Sequence, residues 1–343
     1  MKMNKLKIYS ILLLSSILSM CTHAQTIYVD AVKGVTDGDG TISNPLSSLE
    51  KAISMADGFI AKEPINIKLA PGLYVVSHEL TIRTSADTNS TSKFTIEAVH
   101  MPDDNDWKPA DMPVIQSISP NNSNVQFTHS VCLLVAKNNV SIKGIKFVGN
   151  ASPEVAYYYP ITRENENLNG LEVSQCFFIG ERNSMRLQSG LWTHGAGIHV
   201  DRCIFYNCRC GMVLIKGIKD LSITNSIIYG AYETAIWFGK STDPFVFSNN
   251  IVSHCNFVWV RPKDANPVYT FRNSLITENK EYMGYIANDL VPAPDGNVKE
   301  ISIKKTGTVK LLEIETQKFQ PHDYLNPVPG SDGSEFHAGI FKK

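Results

Sequence analysis

Apolar and polar residues alternate along the middle of this chain in short bursts that return about every two dozen residues. Six segments align without gaps over eleven residues: Val140 (VSIKGIKFVGN), Leu171 (LEVSQCFFIGE), Ile198 (IHVDRCIFYNC), Leu221 (LSITNSIIYGA), Phe245 (FVFSNNIVSHC) and Tyr269 (YTFRNSLITEN). Their starts lie 31, 27, 23, 24 and 24 residues apart. In each segment the first and third positions are apolar and the second is mostly polar, the alternation of a strand with one face turned inward. A polar pair follows, then a second apolar run such as Ile227–Ile228 or Ile251–Val252. Each unit therefore reads as strand, sharp corner, strand. Between units lies a third strand, at Met212–Val213–Leu214, Ile236–Trp237–Phe238, Phe257–Val258–Trp259 and Tyr285–Ile286. Three strands per turn with consistent corners predict an all-β chain folded as a single-stranded right-handed parallel β-helix. An antiparallel sandwich is the competing reading, but it does not hold one register over so many units. Asn225, Asn249 and Asn273 fall at the same corner position of three successive units. With rungs about 4.8 Å apart, they are expected to hydrogen-bond up the column as an amide ladder.

The open end of a solenoid exposes unpaired strand edges and needs a cap. Pro45–Ala56 carries Leu46, Leu49, Ile53 and Ala56 at helical spacing, which predicts a short amphipathic capping helix. The stretch Ile67–Tyr74 (IKLAPGLY) then enters the first rung. The chain divides accordingly into 1–24, a signal peptide; 25–66, an N-terminal strand and capping helix; 67–290, the parallel β-helix; and 291–343, a C-terminal extension and cap. Residues 1–24 have a basic start (Lys2, Lys5, Lys7) and an apolar run, Ile8–Met20, too short to span a bilayer. Two cleavage readings stand open. Thr22-His23-Ala24 suits ordinary signal peptidase and leaves Gln25 first. Leu18-Ser19-Met20-Cys21 resembles a lipobox with Cys21 as the lipid-bearing residue, although Met20 is bulky for its place. Either predicts export, as a periplasmic or secreted protein or as an outer-membrane lipoprotein.

Composition narrows the partners. The chain is 43% hydrophobic and 19% charged, as soluble globular proteins are. Its formal net charge of −1 becomes about −4 once the three leader lysines are removed. No basic run remains, which argues against nucleic acid, and no other apolar stretch is long enough for a membrane span. An elongated monomer is expected. Beyond Cys21 stand Cys132, Cys176, Cys203, Cys208, Cys210 and Cys255. Export permits disulfides, but the spacing fits no zinc pattern, and buried free thiols are the expectation.

Residues Thr26–Tyr74 resemble the N-terminal pattern of exported bacterial proteins of the pectate-lyase-like β-helix superfamily. The matching pieces are IYVD (Ile27–Asp30), DGDGT with the following NP (Asp37–Thr41, Asn44–Pro45), the LEKAIS helix and LAPGLY (Leu69–Tyr74). The ending Gly330–Phe341 (GSDGSEFHAGIF) is similar to the closing segment of such chains. The resemblance spans nearly the whole mature chain and implies the fold rather than a reaction. Polysaccharide lyases, glycoside hydrolases and members without known activity share it. It also implies a substrate groove along the third-strand sheet and the turn that follows.

Candidate chemistry is sought there. Lys216, Lys240 and Arg261 each close a third strand (LIKG, FGKS, WVRP), and are expected to stack as a cationic column with neighbours about 5 Å apart, extended by Arg186. A uronate lyase must neutralise the carboxylate beside the proton it removes and supply a base; crowding can lower a lysine's pKa enough for that role. Solvated lysines at strand ends are the plain alternative. Trp237 is expected to point outward as a stacking face for sugar, with Tyr158, inside Tyr157–Tyr159, near the same sheet. His194 lies in the turn beside the groove as a candidate acid or base, whereas His199 falls on another strand. Asp220, Asp243 and Asp264 follow the cations. Asp243 and Asp264 are candidate ligands for Ca2+, or a carboxylate pair at the roughly 5 Å separation of a retaining glycosidase; ordinary turn aspartates are the third reading. Asp37-Gly38-Asp39-Gly40 is only a fragment of a calcium loop. The Gly-His-Gly and paired-aspartate signatures of β-helix polygalacturonases are missing. The expectation is a carbohydrate-active protein: first a lyase of acidic polysaccharide, then a glycoside hydrolase, then a non-catalytic glycan-binding or surface-structural protein. No cofactor is required, with Ca2+ an optional aid.

Overall fold

The computed structural model describes residues 25–59, 63–83, 91–240, 243–265, 269–287, 289–293, 298–313 and 321–342. The expected signal peptide lies outside the described residues. The chain is a right-handed parallel β-solenoid of about 8 turns. First strands stack from Gln25–Val29 to Val298–Lys304, second strands from Leu73–Val76 to Ile251–Ser253, and third strands from Leu80–Ile82 to Glu281–Ile286. Strand pairing is parallel throughout these rows. Leu290–Pro292 then turns back antiparallel on the last third strand and closes the nine-stranded third sheet. Parallel stacking continues past residue 290, since Val298–Lys304 pairs with Tyr269–Thr277.

The alternation read from the repeat places its apolar residues in inward columns. Val173, Val200, Ile223, Phe247 and Phe271 lie side by side and are fully buried. Phe147, Phe178 and Phe205 stack ring on ring at centroid distances of 5.2 and 4.7 Å. The corner after each first strand is a left-handed residue: Gly144, Gln175, Arg202, Asn225, Asn249 and Asn273 have φ between 43° and 67°. Asparagine tolerates that backbone better than most residues, which is a second reason for it to recur here. The expected ladder forms in part: Asn249 Nδ2 donates to Asn225 Oδ1 (3.2 Å), and Asn225 Nδ2 to Asp201 Oδ1 (2.6 Å).

Helix α1 (Leu49–Asp57) covers the N-terminal end, burying Leu49, Ala52, Ile53 and Ala56. Ser48 caps it by accepting from the Lys51 N–H. The helix starts later than Pro45 because Leu46 is taken by β-bridges to Val29 and Val35. At the other end of the chain, Ala338, Ile340 and Phe341 pack with Trp107 against Phe177, Ile204, Ile227 and Ile251 of the second-strand row. This segment thus runs as a strap along one side of the solenoid. All six cysteines beyond Cys21 are free and buried, and no described helix is long and apolar enough to cross a membrane.

Candidate functional site on the third-strand sheet

Register decides which residues share the outer face of the third-strand sheet. Thr162, Trp192, Val213, Trp237 and Val260 lie side by side in successive strands. Trp237 points outward as expected and packs with Tyr159, Trp192, Cys210 and Val213 in a small apolar cluster outside the main core. Tyr158 does not join it. The alternation turns that ring inward, where it is 1% exposed beside Cys132 and burial pushes its phenol pKa well up. Tyr159 is the outward neighbour.

The cationic column forms only in part. Trp237 pairs with Val260, so Arg261 stands beside Phe238 rather than beside Lys240. The corner ahead of this strand is shorter than its predecessor, and Trp259 fills the interior place that Ile236 holds one rung earlier. Arg261 is drawn in with it, 3% exposed, with its guanidinium over the Tyr285 ring at 4.9 Å and near Trp259 at 5.9 Å. By the same register Lys263 follows Lys240 at the rim. Lys216 and Lys240 are at the rim, but each has a carboxylate partner: Lys216 Nζ is 2.9 Å from Glu166 Oε1, and Lys240 pairs with Asp264. Arg186 lies ahead of the strand Ser189–Thr193, on the opposite margin of the sheet from Lys216, where its Nε donates to the Arg182 carbonyl. Lys240 holds the Asp264 carboxyl below the usual aspartate range. Asp243 is half-buried. Among the described residues no group of three or more His, Cys, Asp or Glu is arranged to hold a metal ion. His199 faces away on the first-strand row, beside Ser222 and Asp220.

His194 does lie at the sheet, in company that the repeat alone does not announce. A loop at Asn122–His129 folds back over the outer face. Asn122 clamps it by donating to the Val131 carbonyl (2.8 Å) and accepting from the Val131 N–H (2.9 Å). His129 is thereby set edge-on to Trp192 (4.6 Å) and Tyr159 (5.4 Å), with Phe127 against Trp192 (5.7 Å). Its Nδ1 sits 2.7 Å from the Phe127 carbonyl, which can only accept, so Nδ1 carries a proton and Nε2 keeps the lone pair when the ring is neutral. That Nε2 is 3.8 Å from Glu164 Oε1, which accepts from Ser123 Oγ at 3.1 Å.

The turn that carries His194 is built to one shape. Arg163 Nε and Nη2 donate to the carbonyls of His194 (2.6 Å) and Ala196 (2.9 Å). Gly195 has φ +85°, and a Cβ there would meet the Leu168 carbonyl at 2.4 Å. His194 itself is 5% exposed. Burial lowers its pKa; Glu164 and Glu166 act in the opposite direction, while Lys216 and Arg163 reinforce the lowering. The outcome is an imidazole neutral at neutral pH, flanked by two carboxylates and a lysine.

Unsatisfied polar atoms concentrate at the same place. Among the described residues twelve buried side-chain nitrogens or oxygens have no hydrogen-bond partner; five of them belong to His129, Thr162, Arg163, Thr193 and His194. These residues lie on, or immediately flank, three successive third strands. Buried polar atoms are otherwise nearly always paired, so the concentration marks a place built for something besides packing. His129, Glu164, Glu166 and Trp192 are members that sequence reasoning did not single out, and Tyr159 entered only as part of Tyr157–Tyr159. One signal was present for all but His129: the repeat spacing stretches to 31 and 27 in the rungs that supply Glu164, Glu166 and Trp192, against 23 or 24 elsewhere.

No family model matches the sequence, and no curated protein matches it. Solved structures with a similar fold include a GH136 lacto-N-biosidase from Eubacterium ramulus, at 9% identity and a TM-score of 0.46, covering 88% of this chain and 71% of that one. Another is a rhamnogalacturonan lyase, at 12% identity and a TM-score of 0.47, covering 93% of this chain and 100% of that one.

Proposed function

We propose that this is an exported carbohydrate-active protein that cleaves an acidic, uronate-containing polysaccharide by elimination, with the glycan on the outer face of the third-strand sheet. One observation carries the reading: His194, kept neutral by burial, shares the end of that sheet with the cation Lys216. In the elimination, a base takes the proton beside the uronate carboxylate, the electron pair forms the ring double bond, and the glycosidic oxygen leaves as a hydroxyl, protonated by water. His194 is the base, and Lys216 neutralises the substrate carboxylate as negative charge develops. The Lys216–Glu166 pair does not prevent this. Both side chains are substantially exposed, and exposed ion pairs contribute only about 0–1 kcal/mol, so exchange for a substrate carboxylate costs little. Trp237 and the exposed Tyr157 offer faces for sugar rings.

A hydrolytic reading is second, and one observation favours it: Glu164 and Glu166 both act electrostatically on His194, which puts two carboxylates on one site. The earlier pair of Asp243 and Asp264 is less suited, since Lys240 engages Asp264. The deciding measurement is ultraviolet absorbance of unsaturated sugar ends after incubation with pectins, alginate and glycosaminoglycans. A rise that His194→Gln abolishes is expected. Reducing-sugar release without that absorbance would replace the lyase by a hydrolase, and retention on a polysaccharide column without cleavage would leave a binder.

A further inference from the structure

Arg163 is fully buried, and register sets it beside Thr193, itself beside the core residue Leu214. The guanidinium therefore enters the interior of the solenoid. Two of its nitrogens are satisfied by the carbonyls of His194 and Ala196. Its Nη1 has no partner, and neither does the hydroxyl of Thr193, the residue that register pairs with Arg163 in the neighbouring strand. Among the described residues no carboxylate pairs with it, since Glu164 and Glu166 engage Ser123 and Lys216 instead. Burial lowers the Arg163 pKa to about 10, which still leaves the group charged at neutral pH. A buried charge without a counter-charge is costly to a fold. Carbonyl dipoles offset part of that cost, a water molecule would add one more dipole, and only an anion supplies the missing charge.

We propose that Arg163 and Thr193 hold a buried monovalent anion, chloride in the first instance. It accepts from Arg163 Nη1 and from the Thr193 hydroxyl, on the interior side of the turn that carries His194. The site is separate from the glycan face and does not depend on the reaction proposed there.

The test is thermal unfolding of the full chain at constant ionic strength, with sodium chloride progressively replacing sodium gluconate, whose anion is too large to enter. The midpoint is expected to climb with chloride by roughly a few degrees. Arg163→Met should lose this dependence. Should that variant fail to fold, Thr193→Val keeps the guanidinium, removes one donor, and should respond to chloride less than the parent. Crystals grown in bromide are expected to show an anomalous peak between the two side chains. Equal midpoints in the two salts, or a bromide crystal without that peak, would overturn the proposal.

Discussion

The corner after each first strand and the rim after each third strand are both stacked turns of one solenoid, yet they differ in how their polar groups are used. At the corner, six successive rungs place one left-handed residue at one position, and Asn249, Asn225 and Asp201 hydrogen-bond in series along the column. At the rim, turn length varies from rung to rung, and ion pairs such as Lys216–Glu166 bridge turns separated by a whole rung. Buried polar atoms without partners gather beside it, on His129, Thr162 and His194. Where the repeat is strict, each unit satisfies its neighbour and little is left for a ligand. Where extra residues interrupt the period, the solenoid acquires groups that its own architecture does not use.

That contrast can be broken by measurement. The largest effect is expected in the regular interior: Phe178→Ala removes the middle ring of the Phe147–Phe178–Phe205 stack and should cost about 3–5 kcal/mol in urea unfolding. A loss below about 1 kcal/mol would mean that the strict rungs are not where stability resides. At the rim, His194→Gln should reduce turnover by roughly 10²–10⁴-fold with an unchanged unfolding midpoint. A lyase using the neutral ring should gain rate as pH rises through the lowered His194 pKa, whereas a flat profile would remove His194 as the base. The same shift has a sign for stability. Between the lowered folded pKa and the unfolded value near ~6.5, the unfolded chain binds more protons than the folded one. His194's contribution to stability is therefore full above that unfolded value and is lost as pH falls below it.

Asn225 offers a finer test of the corner. Asn225→Ala should cost roughly 2–3 kcal/mol, combining a left-handed backbone with lost amide bonds. Asn225→Gly keeps the backbone permissive and should cost only about 1 kcal/mol. Equal losses would mean that the amide ladder, not the left-handed φ, selects asparagine. The smallest effect is expected from Glu166→Gln, whose exposed pair with Lys216 should contribute less than about 1 kcal/mol to stability. If the protein acts as the proposed lyase, it should lower KM for a polyuronate by freeing Lys216, and an unchanged KM would argue that Lys216 does not meet the substrate.

Much of the architecture was legible in the residues, because each rung repeats its alternation and its corner chemistry. The six aligned segments, their asparagines, Trp237 on the outer face and the buried thiols all follow from that periodicity. The candidate site was legible only at His194, Trp237 and the rim lysines. His129 approaches Trp192 through a loop that precedes its own strand, and Glu164 and Glu166 sit in a turn of a rung longer than the common period. Neither has a counterpart in the other units, so comparison between units could not reveal them.

Arg261 shows where the division lies. Alternation along a strand assigns each side chain to a face, since the pleat has period two, and this is a local property that residues declare by themselves. Which residues lie side by side in neighbouring rungs depends on the length of every intervening turn. A displacement of two residues leaves every side chain on its own face, and for that reason the pattern gives no warning of it. The chain by itself therefore determined the rungs, the corners and the inward columns. Tertiary packing, with Trp259 filling an interior position, decided that Arg261 is buried over aromatic rings and that the rim belongs to Lys216 and Lys240 with their carboxylate partners.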